Sequence, residues 1–275
     1  MMIRGLSYDD RRLRDLPGEP LLATMVESAA RCCGMGLIYE FWGVYEGLRD
    51  RTPKGVILQK GHALWASAFC PEAAAEIVDF LQWRQEGWVM LCPTLTALWR
   101  EKTGEAGLPL AVMELPEGVG FSLPEAEYRT HTATAAAGCN RAVGEVSSAQ
   151  YEAAVVNLHL AERRRVGHTV TLERDGKAVS AAAVTDCGTR YGQISYVATL
   201  PEYEGQGYGR AVVYHCAGWL LEKNLIPLVA CEAHRESFYA GLGFQKISEV
   251  TVFTGGSLKA AGEVGRMAKR QAKAG

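Results

Sequence analysis

No Cys-x-x-Cys pair occurs in the 275 residues, although there are eight cysteines: Cys32, Cys33, Cys70, Cys92, Cys139, Cys187, Cys216 and Cys231. That spacing excludes the usual zinc-site patterns and gives no disulfide framework. Most of these cysteines sit in apolar segments, as buried free thiols of a reducing compartment do, so the expected location is the cytoplasm. No apolar run approaches the roughly 18 residues of a membrane-spanning helix. Residues 1–20 are charged and lack an apolar centre, so no signal peptide is expected. A formal net charge of −2 carries no basic excess of the kind a general nucleic-acid binder needs. What remains is an apolar content of 48%, ordinary for a globular chain and long enough here for two domains.

One stretch organises the rest. Ile194 to Leu200 is β-branched and aromatic, as strands are, and Pro201 stops it. Gly205, Gly207 and Gly209 follow at alternate positions, and Arg210 to Glu222 then carries apolar residues at helical spacing. Strand, glycine loop and helix together bring free backbone N–H groups and the positive end of a helix to an anionic phosphate. The spacing separates three kinds of loop. A nucleotide-triphosphate loop ends in Gly-Lys-Ser/Thr, whereas Gly209 precedes Arg210-Ala211. A dinucleotide loop needs its third glycine one position later and an acidic residue about 20 residues on, where only Glu232 is available.

The third kind fits best. Glu204-Gly205-Gln206-Gly207-Tyr208-Gly209, after Val197-Ala198-Thr199-Leu200-Pro201, resembles the acetyl-CoA loop of the GNAT superfamily of acetyltransferases. Downstream, Ser237-Phe238-Tyr239-Ala240-Gly241-Leu242-Gly243-Phe244 is similar to that family's aromatic-Tyr-x-x-x-Gly-Phe signature, after a buried strand over 225–231. The likeness covers 138–253. It departs from the family's pattern at Glu204, where Arg or Gln is usual, and at Glu232, where Asn is frequent.

The resemblance implies an α/β (α+β) fold with a mixed central sheet flanked by helices, and an acetyl group carried from acetyl-CoA to a primary amine. It implies that the backbone of Val197, Ala198 and Thr199 meets pantetheine, that Glu204, Gly205, Gln206, Gly207, Tyr208, Gly209 and Arg210 hold the pyrophosphate, and that Ser237 borders the cofactor. Tyr239 would protonate the leaving sulfur. A side chain at Gly207 is expected to fill the cradle. For the base, Glu232 is the first candidate, with His234, Asp186, Glu173 or a chain of waters as alternatives. Gln193, at the position of a family glutamate, accepts no proton at neutral pH. Direct attack needs no acyl-enzyme, so Cys231 is expected to be core, and no metal is required. The competing readings are a non-catalytic acyl-CoA-binding sensor and, more distantly, a nicotinamide-dependent oxidoreductase. Small-molecule or peptide amines are the expected partners; nucleic acid and membrane are not.

The first half echoes the second. Its patterns predict a helix over 19–33 ended by Gly34, a strand over 37–48, a hairpin about Lys60-Gly61-His62, a helix over 72–83, a strand over 88–92 and a helix over 93–102. Val56 to Ala68 aligns with Val170 to Ala182, and the strand ending at Cys92 parallels the one ending at Cys231. The expectation is two tandem GNAT-like halves: a degenerate one over 1–120 without a glycine cradle, and a cofactor-binding one over 138–254. Residues 117–137 read as a connector, 147–165 as a serine-capped helix, and 255–275 as a basic tail.

Overall fold

The computed structural model describes residues 1–32, 39–84, 87–122 and 127–254. The helix end at Gly34 and the basic tail lie outside them. In chain order the elements are β1 (Met2–Leu6), α1 (Pro20–Cys32), β2 (Tyr39–Tyr45), β3 (Gly55–Lys60), β4 (Ala63–Ala68), α2 (Pro71–Arg84), β5 (Trp88–Leu91), α3 (Pro93–Thr103) and β6 (Leu108–Glu114). There follow β7 (Tyr128–Thr130), α4 (Ala133–Ala142), α5 (Tyr151–Arg163), β8 (His168–Arg174), β9 (Lys177–Cys187), β10 (Tyr191–Thr199), α6 (Tyr208–Leu221), β11 (Ile226–Cys231), α7 (Glu236–Ala240) and β12 (Gln245–Thr254). The chain forms two compact units. Met1–Met113 with Ala230–Ser237 and 246–254 make the first, and Glu114–Val229 with Phe238–Gln245 the second.

In the first unit β2, β3 and β4 form an antiparallel run, and α2 then carries the chain to β5, which pairs parallel to β4. β12 pairs antiparallel to β5. The second unit repeats the order: β8, β9 and β10 are antiparallel, α6 crosses over, and β11 pairs parallel to β10. A parallel pair needs such a crossover, and a helix supplies it. The repetition corrects one detail of the sequence alignment. By topology the β3–β4 hairpin corresponds to β9–β10, so matching it to β8–β9 is off by one strand. All these hairpins read alike, as short β-branched runs about a turn, and the helix that follows is what distinguishes them. No glycine loop lies between β4 and α2, which are joined through Phe69 and Cys70 alone.

The second unit is built around β9 and β10. Alanines at 181, 183 and 198 on one face of these strands let α4 and α5 approach through Ala133, Ala136, Ala137 and Leu158, all buried. On the other face α6 buries Ala211, Val212, Val213, Cys216, Ala217 and Leu220. It lies so close that a Cβ on Gly192 would stand 2.1 Å from Leu220 Cδ2. Part of the expected connector is therefore core: Ala133–Ala142 is a helix, since an alanine run has high helix propensity and its small faces fit a small-residue strand surface. The helix expected from Ser147 begins at Tyr151 instead. Gln150 is its cap residue and makes no capping bond, because its Oε1 accepts from the Ser147 hydroxyl and amide.

Three rings stack where β8 meets the middle of α6. The His168 imidazole lies 5.4 Å from His215 and 5.1 Å from Trp219, each pair 8° from parallel. His131 stands edge-on at 6.2 Å, and its Nδ1 is 3.6 Å from Glu162. His168 Nε2 and His215 Nδ1 are buried without hydrogen-bond partners. Burial first, then His215, His131 and Lys223, pulls His168 from 6.5 down to about 4. His168 is thus neutral in the folded chain above about pH 4. Below pH 6.5 the unfolded chain takes up a proton that the folded one refuses, so stability falls between pH 6.5 and about 4 and levels off below. That window is worth roughly 3 kcal/mol. We expect His168→Phe, which keeps a ring in the stack, to flatten this acid limb in thermal melts at pH 7 and pH 4.5. An unchanged limb would show that His168 is not its source.

Candidate active site

β10 parts from β11 toward its C-terminal end while staying paired with β9. Its parallel pairing with β11 runs from Tyr191↔Ile226 to Ile194↔Val229. From Ser195 onward its recorded pairs are with β9 alone: Ser195↔Ala183, Ala198↔Ala181 and Thr199↔Ser180, with a register shift between Ser195 and Ala198. Val197, Ala198 and Thr199 therefore follow the point where β10 and β11 cease to pair. The Ser180 hydroxyl donates to Ala198 O at 3.1 Å and lies 2.9 Å from Thr199 Oγ1, which fixes the strand end.

Past Leu200 a 3-10 turn over Pro201–Tyr203 leads to Glu204, exposed, and then the glycines. Gly205 has φ 74° and Gly207 φ 83°. These left-handed values suit glycine and strain other residues. The loop is open: a Cβ on Gly205 would meet nothing within 4 Å, and one on Gly207 would meet only the Arg210 side chain, at 3.5 Å. Gly207 caps α6 without a side chain, and the first intrahelical bond runs from Ala211 N to Gly207 O at 3.0 Å. The amides of Tyr208, Gly209 and Arg210 thus have no intrahelical acceptor, which is the donor set an anion needs. Gly209 is the point of convergence. Its Cβ would lie 3.2 Å from Thr199 Oγ1 and 3.6 Å from Phe238 Cζ, so strand end, helix start and the residue before Tyr239 meet there.

Tyr239 is 5% exposed. Its ring stands edge-on to Phe238 at 5.0 Å and to Phe244 at 5.8 Å. Its carbonyl accepts from Leu242 and Phe244, which closes α7 into a tight turn. Glu232 and Ser237 fall in the stretch that belongs to the first unit. Both are exposed, and Glu232 Oε2 is 3.8 Å from His234 Nδ1. Gln193 has its Oε1 buried without a partner. Three of the thiols are poor nucleophiles: burial pushes Cys139 and Cys231 up to about 11 and raises Cys216 further. None of the seven cysteines described forms a disulfide, and six are buried. No cluster of His, Cys, Asp or Glu suited to a metal occurs among the described residues, and no helix among them is long and apolar enough to cross a membrane.

Sequence reading missed two contributors. Arg174, the last residue of β8, donates from Nε to the Tyr208 hydroxyl at 3.0 Å and lies over that ring. Asn140, on α4, reaches the β10 backbone. Neither lies near the motif in sequence; the sheet brings them there.

A strand that parts from its parallel neighbour, a glycine loop at its end and a helix aimed back at the loop define a fold seen in several solved structures. A tandem GNAT protein from the clavulanic acid biosynthesis pathway, without AcCoA, is 12% identical over 93% of this chain and 98% of its own, with a TM-score of 0.58. A GCN5-related N-acetyltransferase-like protein from Streptococcus suis is 15% identical over 89% and 96%, with a TM-score of 0.52. An acetyltransferase from the GNAT family of Colwellia psychrerythraea is 11% identical over 92% and 99%, with a TM-score of 0.53. At these identities the likeness speaks for the fold. Residues 136–244 match the acetyltransferase (GNAT) family model, so the chain carries a GNAT acetyltransferase domain over that stretch. No curated protein matches the chain.

Proposed function

We propose that the chain moves an acetyl group from acetyl-CoA to a primary amine of a small molecule or peptide, by direct attack with both substrates bound. The observation that carries this reading is the open glycine loop between β10 and α6, with three first-turn amides lacking an intrahelical acceptor. In this reading the pyrophosphate lies against residues 204–210, with Arg174 and Arg210 adding positive charge, Ser237 borders the cofactor, and pantetheine runs along Val197, Ala198 and Thr199. The amine nitrogen attacks the thioester carbon, the carbonyl oxygen takes up negative charge, and collapse breaks the carbon–sulfur bond. Tyr239 delivers a proton to the departing thiolate, and the nitrogen gives one up to Glu232 or through water to solvent. The Cys139, Cys216 and Cys231 thiols, raised by burial, argue against an acyl-enzyme on those residues, and six buried thiols favour a reducing compartment such as the cytoplasm.

The test is release of CoA from acetyl-CoA in the presence of polyamines, aminoglycosides, amino acids and peptide N-termini, with the product identified by mass. Acetylation of one class is expected. Tight binding of acetyl-CoA with no turnover on any class would favour the sensor reading, to which Gln193, with no proton-accepting group where the family has a glutamate, already lends weight.

A further inference from the structure

The irregular stretch of β10 is held by a side chain with no part in the chemistry above. Asn140 is 2% exposed. Its Nδ2 donates to Ala136 O at 2.9 Å, within its own helix, and to Tyr196 O at 2.7 Å. Both partners are carbonyls, which only accept, so the amide can face them in one orientation only. Tyr196 has φ 52°, a left-handed conformation that bulky residues avoid, and it sits inside the register shift of β10. Such a backbone persists only where its surroundings hold it. The Asn140 bond is one such hold, and the Ser180 bonds at Ala198 and Thr199 secure the strand just beyond.

Peptide geometry gives this a consequence. There are no cis peptide bonds among the described residues, and in a trans peptide the carbonyl and the following N–H point to opposite sides. A Tyr196 carbonyl turned toward α4 therefore turns the Val197 N–H away from α4, toward the face on which α6 packs. The recorded pairs of β10 with β9 and β11 do not include Val197. We propose that Asn140 is a positioning residue: by holding the Tyr196 carbonyl it aims the Val197 N–H at the thioester carbonyl oxygen of acetyl-CoA. This rests on the acetyl-CoA reading above. It makes the stabilisation of the developing oxyanion depend on a helix side chain 56 residues away in sequence.

The acetyl carbonyl is present in acetyl-CoA and absent from CoA, and that difference supplies the test. In ¹⁵N-labelled wild-type protein the Val197 amide resonance is expected to move further with acetyl-CoA than with CoA. In Asn140→Leu, close in size but without a donor, the acetyl-dependent part of that shift is expected to vanish while CoA affinity stays within about twofold. With an acceptor found in the amine panel, kcat is expected to fall about tenfold or more with the acceptor KM little changed, as for loss of a transition-state donor. Retention of the acetyl-dependent shift and of kcat in Asn140→Leu would overturn the proposal. So would a wild-type Val197 amide that responds alike to both ligands, a result that needs no variant to fold. Wild-type protein that binds neither ligand would instead remove the acetyl-CoA reading itself.

Discussion

Replacing Gly207 with valine is expected to weaken coenzyme A binding about a hundredfold or more while leaving the fold intact. The reason lies in the backbone. A Cβ at this position would meet only the Arg210 side chain, at 3.5 Å, so the fold has room for the valine, whose side chain would stand in the open loop where the phosphate is proposed to lie. The valine also carries a β-branched side chain into φ 83°, a conformation such residues adopt only as outliers and at a cost of about 1–3 kcal/mol. The loop is exposed and relieves that strain by rotating, and rotation swings the amides of residues 205–210 off any phosphate. A hydrogen bond to a charged group is worth about 1.5–3 kcal/mol, so losing two exceeds the hundredfold mark. Titration calorimetry with CoA reads the affinity, and a thermal melt reads the fold. Gly205→Ala, with similar φ and open surroundings but a smaller side chain, should show a weaker effect. Wild-type affinity in Gly207→Val would mean that CoA binds elsewhere.

The second large effect is expected at Tyr239. Tyr239→Phe removes one oxygen and keeps the ring between Phe238 and Phe244, so its packing is preserved. If the hydroxyl protonates the leaving thiolate, turnover falls about a hundredfold while CoA affinity is nearly unchanged. If the residue only packs, turnover stays at the wild-type level once chemistry is shown to limit the rate. Tyr239→Ala cannot make this distinction. Removing a 95%-buried ring costs roughly 3–5 kcal/mol in packing, which mixes stability with chemistry.

The glycine loop is legible in sequence because its chemistry is local. Pro201, the spaced glycines and the apolar helix that follows are neighbours along the chain, and each is there for a backbone reason. The same holds for β3, β4, α2, β5 and α3, whose periodicity and turn residues agree with the structure. Connections that depend on the sheet are not legible in this way. An alanine run after a threonine-rich segment reads as linker until β9 and β10 present alanines of their own to receive it. Asn140 in the same helix looks like any polar residue near a C-terminus, and its partner is fixed only by a bulge at Tyr196 that no residue type announces. Arg174 carries no signal beyond being a cation beside a turn. The tyrosine of the second motif stands out in sequence, but whether its hydroxyl meets sulfur depends on the substrate's path and not on any local pattern.

The protonated state of Cys139, Cys216 and Cys231 bears on what happens after each turnover in the proposed reaction. Every cycle frees a coenzyme thiol, and its oxidised form, a disulfide, exchanges readily with accessible cysteine thiolates. With values of about 11, Cys139 and Cys231 hold only about one thiolate in ten thousand at neutral pH, and Cys216, fully buried, offers an attacking group no path. These three sulfurs are therefore shielded from mixed-disulfide capture by the product of the proposed reaction, which could run beside a pool of oxidised coenzyme without derivatising them.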